Sequence, residues 1–354
     1  MILALVFVFL NSVVLTFAPA VRLHTLVAEY NWEHWIGFTA WLVGYTILFL
    51  QLNKFLPDRD PFMLPIIALL NGWGLLMIYR LSTAFGLRQT VWMAVAIIGM
   101  LVALRFRNLL PTLRRYKYVW LVTGLILTLL TFVIGTYPGG DGPGLWLNLG
   151  SVYVQPSELL KFLLIVYLAA YLADTFQAHL RLIQLLTPTL ILITAAVLVL
   201  IAQRDLGTAT LFIMLYTIVI YLASGKRRIL LISFFLVMAA LVAGYIVFDV
   251  IQLRIEAWLN PWLDSRDRSY QIVQSLIAIA NGGILGRGMG LGSPGVVPVA
   301  HSDFIFTAIL EEFGVAGGIA LICVLSLFTV RGLTIALRAP NQYQRYLAAG
   351  LTSF

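Results

Sequence analysis

What most constrains this chain is a series of apolar, nearly charge-free runs that recurs along almost all of its 354 residues, each close to the ~20 residues that cross a ~30 Å hydrocarbon core. A water-soluble domain needs a solvated surface, yet 61% of these residues are hydrophobic and 11% charged, so the bilayer is the solvent to reason in. The expected fold is all-α: a polytopic transmembrane helical bundle of about ten to eleven spans. They lie near 2–20, 34–51, 62–79, 89–104, 118–136, 156–173, 184–202, 207–223, 229–248 and 303–330, and an eleventh begins near Tyr343. Residues 1–20 lack a basic start before their apolar stretch and read as a span rather than a signal peptide. The single cysteine, Cys323, excludes an internal disulfide.

Irregular backbone cannot face lipid, so the breaks are loops in water or buried in protein. Two are long, 137–155 and 249–302. Basic residues gather in three clusters, Arg105 to Lys117, Lys226 to Arg228, and Arg331 with Arg338. Counting spans puts all three on one side, with Lys54 and Arg59, and that side is cytoplasmic by the positive-inside bias. Both long loops then face outward. The net charge of +8 thus reports orientation and not a nucleic-acid partner.

Ionised groups near a span need a partner, water or a function. Gln155-Pro156-Ser157-Glu158 opens a helix, with proline in its first turn and an acid where the dipole favours one. Lys161, three residues on, shares a face with Glu158, so the two can pair or line one cavity. Gln203-Arg204-Asp205 is a polar break in which Asp205 can cap the next helix. His301-Ser302-Asp303 precedes Phe304-Ile305-Phe306, and Asp303 too can be a cap. Glu311 and Glu312 lie deeper in that helix, and at least one must find a polar interior. The outer loop adds Arg254, Arg268, Trp258, Trp262 and a glycine series from Gly282 to Gly292, read as interface anchors, phosphate-matching forks and a tight, flexible loop.

These elements, in this order, resemble the SEDS family (shape, elongation, division and sporulation; the RodA, FtsW and SpoVE group). The resemblance runs from about Asp60 to Gly332 and includes Arg88-Gln89 with Trp92, Trp146, Gln155 to Lys161, Gln203 to Thr208, Tyr270-Gln271, Gly282-Gly283, and His301 to Phe306 with Glu311-Glu312. Residues 1–59 are then two extra N-terminal helices and 60–354 the family domain. This domain lacks the final helices and the proline-phenylalanine-serine-tyrosine-glycine-glycine motif that the resemblance implies. Gly144-Leu145 stands where the family carries arginine, and Arg204 where it carries proline.

The resemblance implies a peptidoglycan glycosyltransferase of the bacterial cytoplasmic membrane. It would polymerise lipid II at the outer face with undecaprenyl diphosphate as leaving group, alongside a class B penicillin-binding protein. Asp303 matches the family's essential aspartate; Glu158, Lys161 and Asp205 match polar cavity residues, with Trp146 and Glu311 supporting. Arg204, Arg254 and Arg268 are diphosphate-binding candidates, as is a divalent cation such as Mg. The rival readings are a lipid II flippase and a non-catalytic cell-wall scaffold.

Overall fold

The computed structural model describes residues 1–106, 108–137, 144–148, 150, 152–175, 182–267 and 269–354, with 182–185 as backbone alone. The apolar runs are helices: α1 (Ile2–Leu23), α2 (His34–Phe55), α3 (Met63–Leu81), α4 (Thr83–Arg105), α5 (Leu109–Arg115), α6 (Lys117–Ile134), α7 (Pro156–Thr175), α8 (Leu182–Ala202), α9 (Leu206–Ser224), α10 (Arg227–Val247), α11 (Asp249–Leu259), α12 (Tyr270–Gly282), α13 (Ile305–Arg338) and α14 (Gln342–Ser353). Among the described residues nine are long and apolar enough to span a membrane, and α8 contributes a shorter apolar helix, Leu186–Ala202.

Two segments differ from the sequence reading. The 249–302 break carries α11 and α12, the latter 13 residues long with Ser275, Ala278 and Gly282 buried along one side; it is amphipathic and too short to span. The expected span 303–330 starts at Ile305, continues to Arg338, and is interrupted at Gly314. Within 137–155, β1 (Leu147–Asn148) pairs antiparallel with β2 (Tyr153–Val154), and Gly150 between them has φ 84°, a conformation open to glycine.

The helices form two units, one of Met1–Phe106 with Tyr245–Arg331, the other of Arg107–Gly244 with Gly332–Phe354. In the first, α3 packs on α1, α2 and α4. Lipid tails are as apolar as leucine, so close approach at small residues and interhelical hydrogen bonds must hold such helices together. A methyl on Gly72 would lie 2.6 Å from Val8 and 3.0 Å from the Trp41 indole nitrogen. That indole donates to Ala68 O at 2.9 Å. Buried His34 joins α2 to α1, its Nε2 lying 2.9 Å from Ser12 O, while the Trp35 indole donates to Thr16 Oγ1.

In the second unit α7 is the hub: it packs against α6, α9 and α14, and Ile165, Val166, Tyr167, Leu168, Ala169 and Ala170 are fully buried. Gly124 brings α6 close, since a Cβ there would meet Leu160 at 2.9 Å. α9 ends at Gly225, φ 68°, whose N–H donates to Tyr221 O, a glycine stop. α10 buries Gly244 alone, as a helix facing lipid would.

Candidate functional site

The second unit contains Glu158, Lys161, Arg204 and Asp205 of the residues singled out in the sequence, with Trp146. Pro156 starts α7, and Lys161 Nζ sits 2.7 Å from Glu158 Oε2; the lysine side chain is 7% exposed and the glutamate 55%. The pair expected from the spacing forms, with its acid outermost and its buried cation also 4.7 Å from the centroid of the Phe354 ring. Asp205 does cap α9, accepting from Thr208 N at 3.1 Å, and its other oxygen accepts from Gln155 Nε2 at 3.4 Å. Buried Gln203 donates to Thr128 O at 2.8 Å and Thr131 Oγ1 at 2.7 Å, tying the polar break to α6. Exposed Arg204, between them, holds φ 60°, a left-handed conformation that costs a non-glycine residue energy. It edges an open cavity of about 520 Å³ whose wall includes Gly135, Gly144 and Gln203. Half-buried Trp146 exchanges backbone hydrogen bonds with Thr136 beside that cavity wall.

Asp303, Glu311 and Arg254 belong to the first unit. Asp303 lies in the turn ahead of α13, exposed; its N–H donates to Val299 O at 3.2 Å, and its carboxylate has no hydrogen-bond or ion-pair partner among the described residues. Asp303 is therefore not the helix cap that its position allowed. Val299 has φ 56°, rare for a β-branched residue. The His301 ring stacks on Phe85 at 4.4 Å and Ser275 bonds Thr307 at 2.7 Å, so the turn is fastened on both sides of the free carboxylate. Arg254 is exposed on α11. Arg268 lies outside the described residues.

Glu311 and Glu312 are both buried. Glu312 Oε1 meets Arg80 Nε at 2.9 Å, and Glu311 Oε1 accepts from Ser293 N at 2.8 Å. Among the described residues the second oxygen of each carboxylate has no hydrogen-bond partner. Around them the glycine series is docked on α13 rather than loose. In an unbroken helix Val315 and Ala316 would donate to Glu311 and Glu312 carbonyls. Here Gly314 turns to φ 68°; Val315 and Ala316 donate to Gly283 O and Ile284 O, and the two glutamate carbonyls accept from Arg287 N and Gly288 N. The loop thus replaces the two interrupted helical bonds, as buried backbone groups require. Arg22 and Arg80 each donate to Gly292 O, at 2.7 and 2.9 Å. Among the described residues no group of three or more His, Cys, Asp or Glu side chains could hold a metal ion.

The family model for FtsW, RodA and SpoVE, the cell cycle proteins, matches residues 61–354. The chain belongs to this family. Its similarity to the peptidoglycan glycosyltransferase RodA of Mycobacterium tuberculosis is 31% identity over 97% of this chain and 78% of that protein. With RodA of Mycobacterium leprae it is 32% over 96% and 78%. The probable peptidoglycan glycosyltransferase FtsW of Geobacter sulfurreducens is 31% identical over 86% of this chain and 85% of its own. A solved structure of a peptidoglycan synthase complex, concerned with coordinating polymerization and crosslinking, shares the fold with a TM-score of 0.59 at 23% identity, covering 90% of this chain and 82% of that one.

In this family member the sequence reading passed over Arg22, Arg80 and Gly314. The two arginines had one signal: each sits at a helix end opposite the basic clusters, against the charge bias. Gly314 had none, since it interrupts an apolar run without altering its composition.

Proposed function

We propose that this multi-pass membrane protein polymerises lipid II into glycan strands at the outer face of the bacterial cytoplasmic membrane, working beside a class B penicillin-binding protein. The observation that carries the reading is the exposed Asp303 carboxylate, without a partner among the described residues, on a turn fastened by the Phe85–His301 stack and the Ser275–Thr307 bond. The glycosyltransferase names of the family's relatives agree with it.

Asp303 takes the proton of the acceptor sugar hydroxyl, which is far too weak an acid to attack unaided at neutral pH. The hydroxyl oxygen forms its bond to the donor's anomeric carbon as the bond from that carbon to the lipid diphosphate breaks, and undecaprenyl diphosphate leaves with the electron pair. Its charge calls for cations. Exposed Arg254 in the first unit and exposed Arg204 in the second, with Arg268 from the sequence, each carry a guanidinium fork suited to phosphate oxygens. Within the second unit Glu158, Lys161 and Asp205 are the polar groups offered to substrate and Trp146 supports the cavity wall; within the first, Glu311 anchors the loop behind Asp303.

The test is glycan-chain formation from purified lipid II by the detergent-solubilised chain, alone and with a partner transpeptidase. Asp303→Asn is expected to lower turnover by about 10²- to 10⁴-fold, the usual worth of a general base. Undiminished turnover would remove Asp303 from the role. Product from neither chain, with lipid II crossing vesicle bilayers, would favour the flippase.

A further inference from the structure

Glycosyl transfer leaves unused a basic cavity at the far end of the second unit. α5, α6 and α14 enclose about 370 Å³ of open space there, with Arg114, Arg115, Lys117, Asp174, Leu110 and Tyr343 in its wall. Arg114 Nε donates to Asp174 Oδ1 at 2.9 Å, and Lys117 pairs with the other oxygen. Arg115 has no carboxylate partner among the described residues. Three cations against one carboxylate leave an excess of two positive charges around the cavity.

The cavity stands at the level of lipid headgroups. Lys117 is the first residue of α6 and Asp174 lies in the last turn of α7. Beside them Leu109 is 39% exposed and Tyr118 53%, apolar and aromatic side chains of the kind that settle at a membrane interface. The positive-inside bias explains basic residues at this end but requires only a count of charges. It does not require two of them to converge on one carboxylate at the rim of a cavity. Arg114 also lies 5.7 Å from the centroid of the buried Tyr343 ring, which holds the guanidinium in place before any ligand arrives.

We propose that this cavity binds the phosphate of an anionic phospholipid headgroup. Arg114 and Arg115 present forks that match phosphate oxygens, Lys117 adds a point charge, and Leu110 meets the glycerol and upper acyl chain. Basic pockets between spanning helices are a known way of holding acidic headgroups. Asp174 keeps two of the cations aligned when the lipid is absent.

The experiment measures phospholipid retained by the full chain after extensive detergent washing, following incubation with phosphatidylglycerol or phosphatidylcholine. Native protein should retain the anionic lipid in preference. Arg115→Gln, at an exposed position with no ion pair to break, should reduce retention about five-fold, the worth of one basic side chain at a membrane surface, and Arg115→Lys should largely restore it. Arg228→Gln removes an exposed charge from the second basic cluster and should change nothing. Equal loss in Arg115→Gln and Arg228→Gln, or no preference for the anionic lipid, would overturn a built site. Displacement of the lipid by inorganic phosphate, with phosphate itself retained, would reassign the cavity to a soluble ligand and overturn the lipid assignment.

Discussion

Asp303 and Glu312 flank the start of one helix, α13, with opposite situations. Asp303 is exposed and unpaired; the Glu312 side chain is 0% exposed and grips Arg80. Removing one partner of a buried pair leaves an uncompensated charge, so Arg80→Met should destabilise the detergent-solubilised chain by about 3 kcal/mol. The double variant Arg80→Met with Glu312→Gln should regain part of that, because no charge is then left buried. Asp303→Asn should leave the thermal midpoint where it is while lowering polymerisation by about the same 10²- to 10⁴-fold, the worth of a general base. A midpoint lowered as far as by Arg80→Met would make Asp303 a structural residue. The difference was only partly legible beforehand: two adjacent acids inside a span demanded a polar interior, but nothing in the sequence indicated that Arg80, over two hundred residues away, supplies it.

At the scale of elements, the helices and their caps were readable because their signals are local. Pro156 and Glu158 mark the start of α7, and Asp205 the start of α9 through its bond to Thr208 N. The exchange between the glycine loop and α13 was not readable, because backbone hydrogen bonds leave no trace in side-chain pattern. It gives the glycines unequal weights. A Cβ on Gly286, φ 82°, would sit 2.3 Å from Glu312 O, whereas one on Gly295 meets nothing within 4 Å. Gly286→Ala must therefore either undock the loop or shift α13, and it should expose the 283–303 segment to limited proteolysis and cut polymerisation sharply. Gly295→Ala should behave as native. Equal protease sensitivity in the two would mean that the loop is not held by this register.

For the whole molecule, each unit joins chain segments that are distant in sequence, which hydropathy alone cannot foresee: it locates spans without saying which spans pack together. In the first unit one such joint is the ion pair between Asp60, ahead of α3, and Arg331, far along α13. Asp60 Oδ1 also accepts from Phe62 N and Met63 N. Burial raises the Asp60 carboxyl, but the Arg331 and backbone hydrogen bonds together outweigh it and hold the group below the ordinary aspartate value. A depressed folded-state pKa means that the ionised group favours folding above its unfolded value of about 3.9, and that this contribution is lost as pH falls through the lower folded value. Asp60→Asn should therefore lower the thermal midpoint at pH 7, and the gap between variant and native should close as the pH is taken down through that range. Other carboxylates titrate there as well, so the difference between the two chains is the quantity to follow. A gap that stays constant with pH would mean that the loss does not come from the charge pair; no gap at pH 7 would mean that the two segments are held together without it.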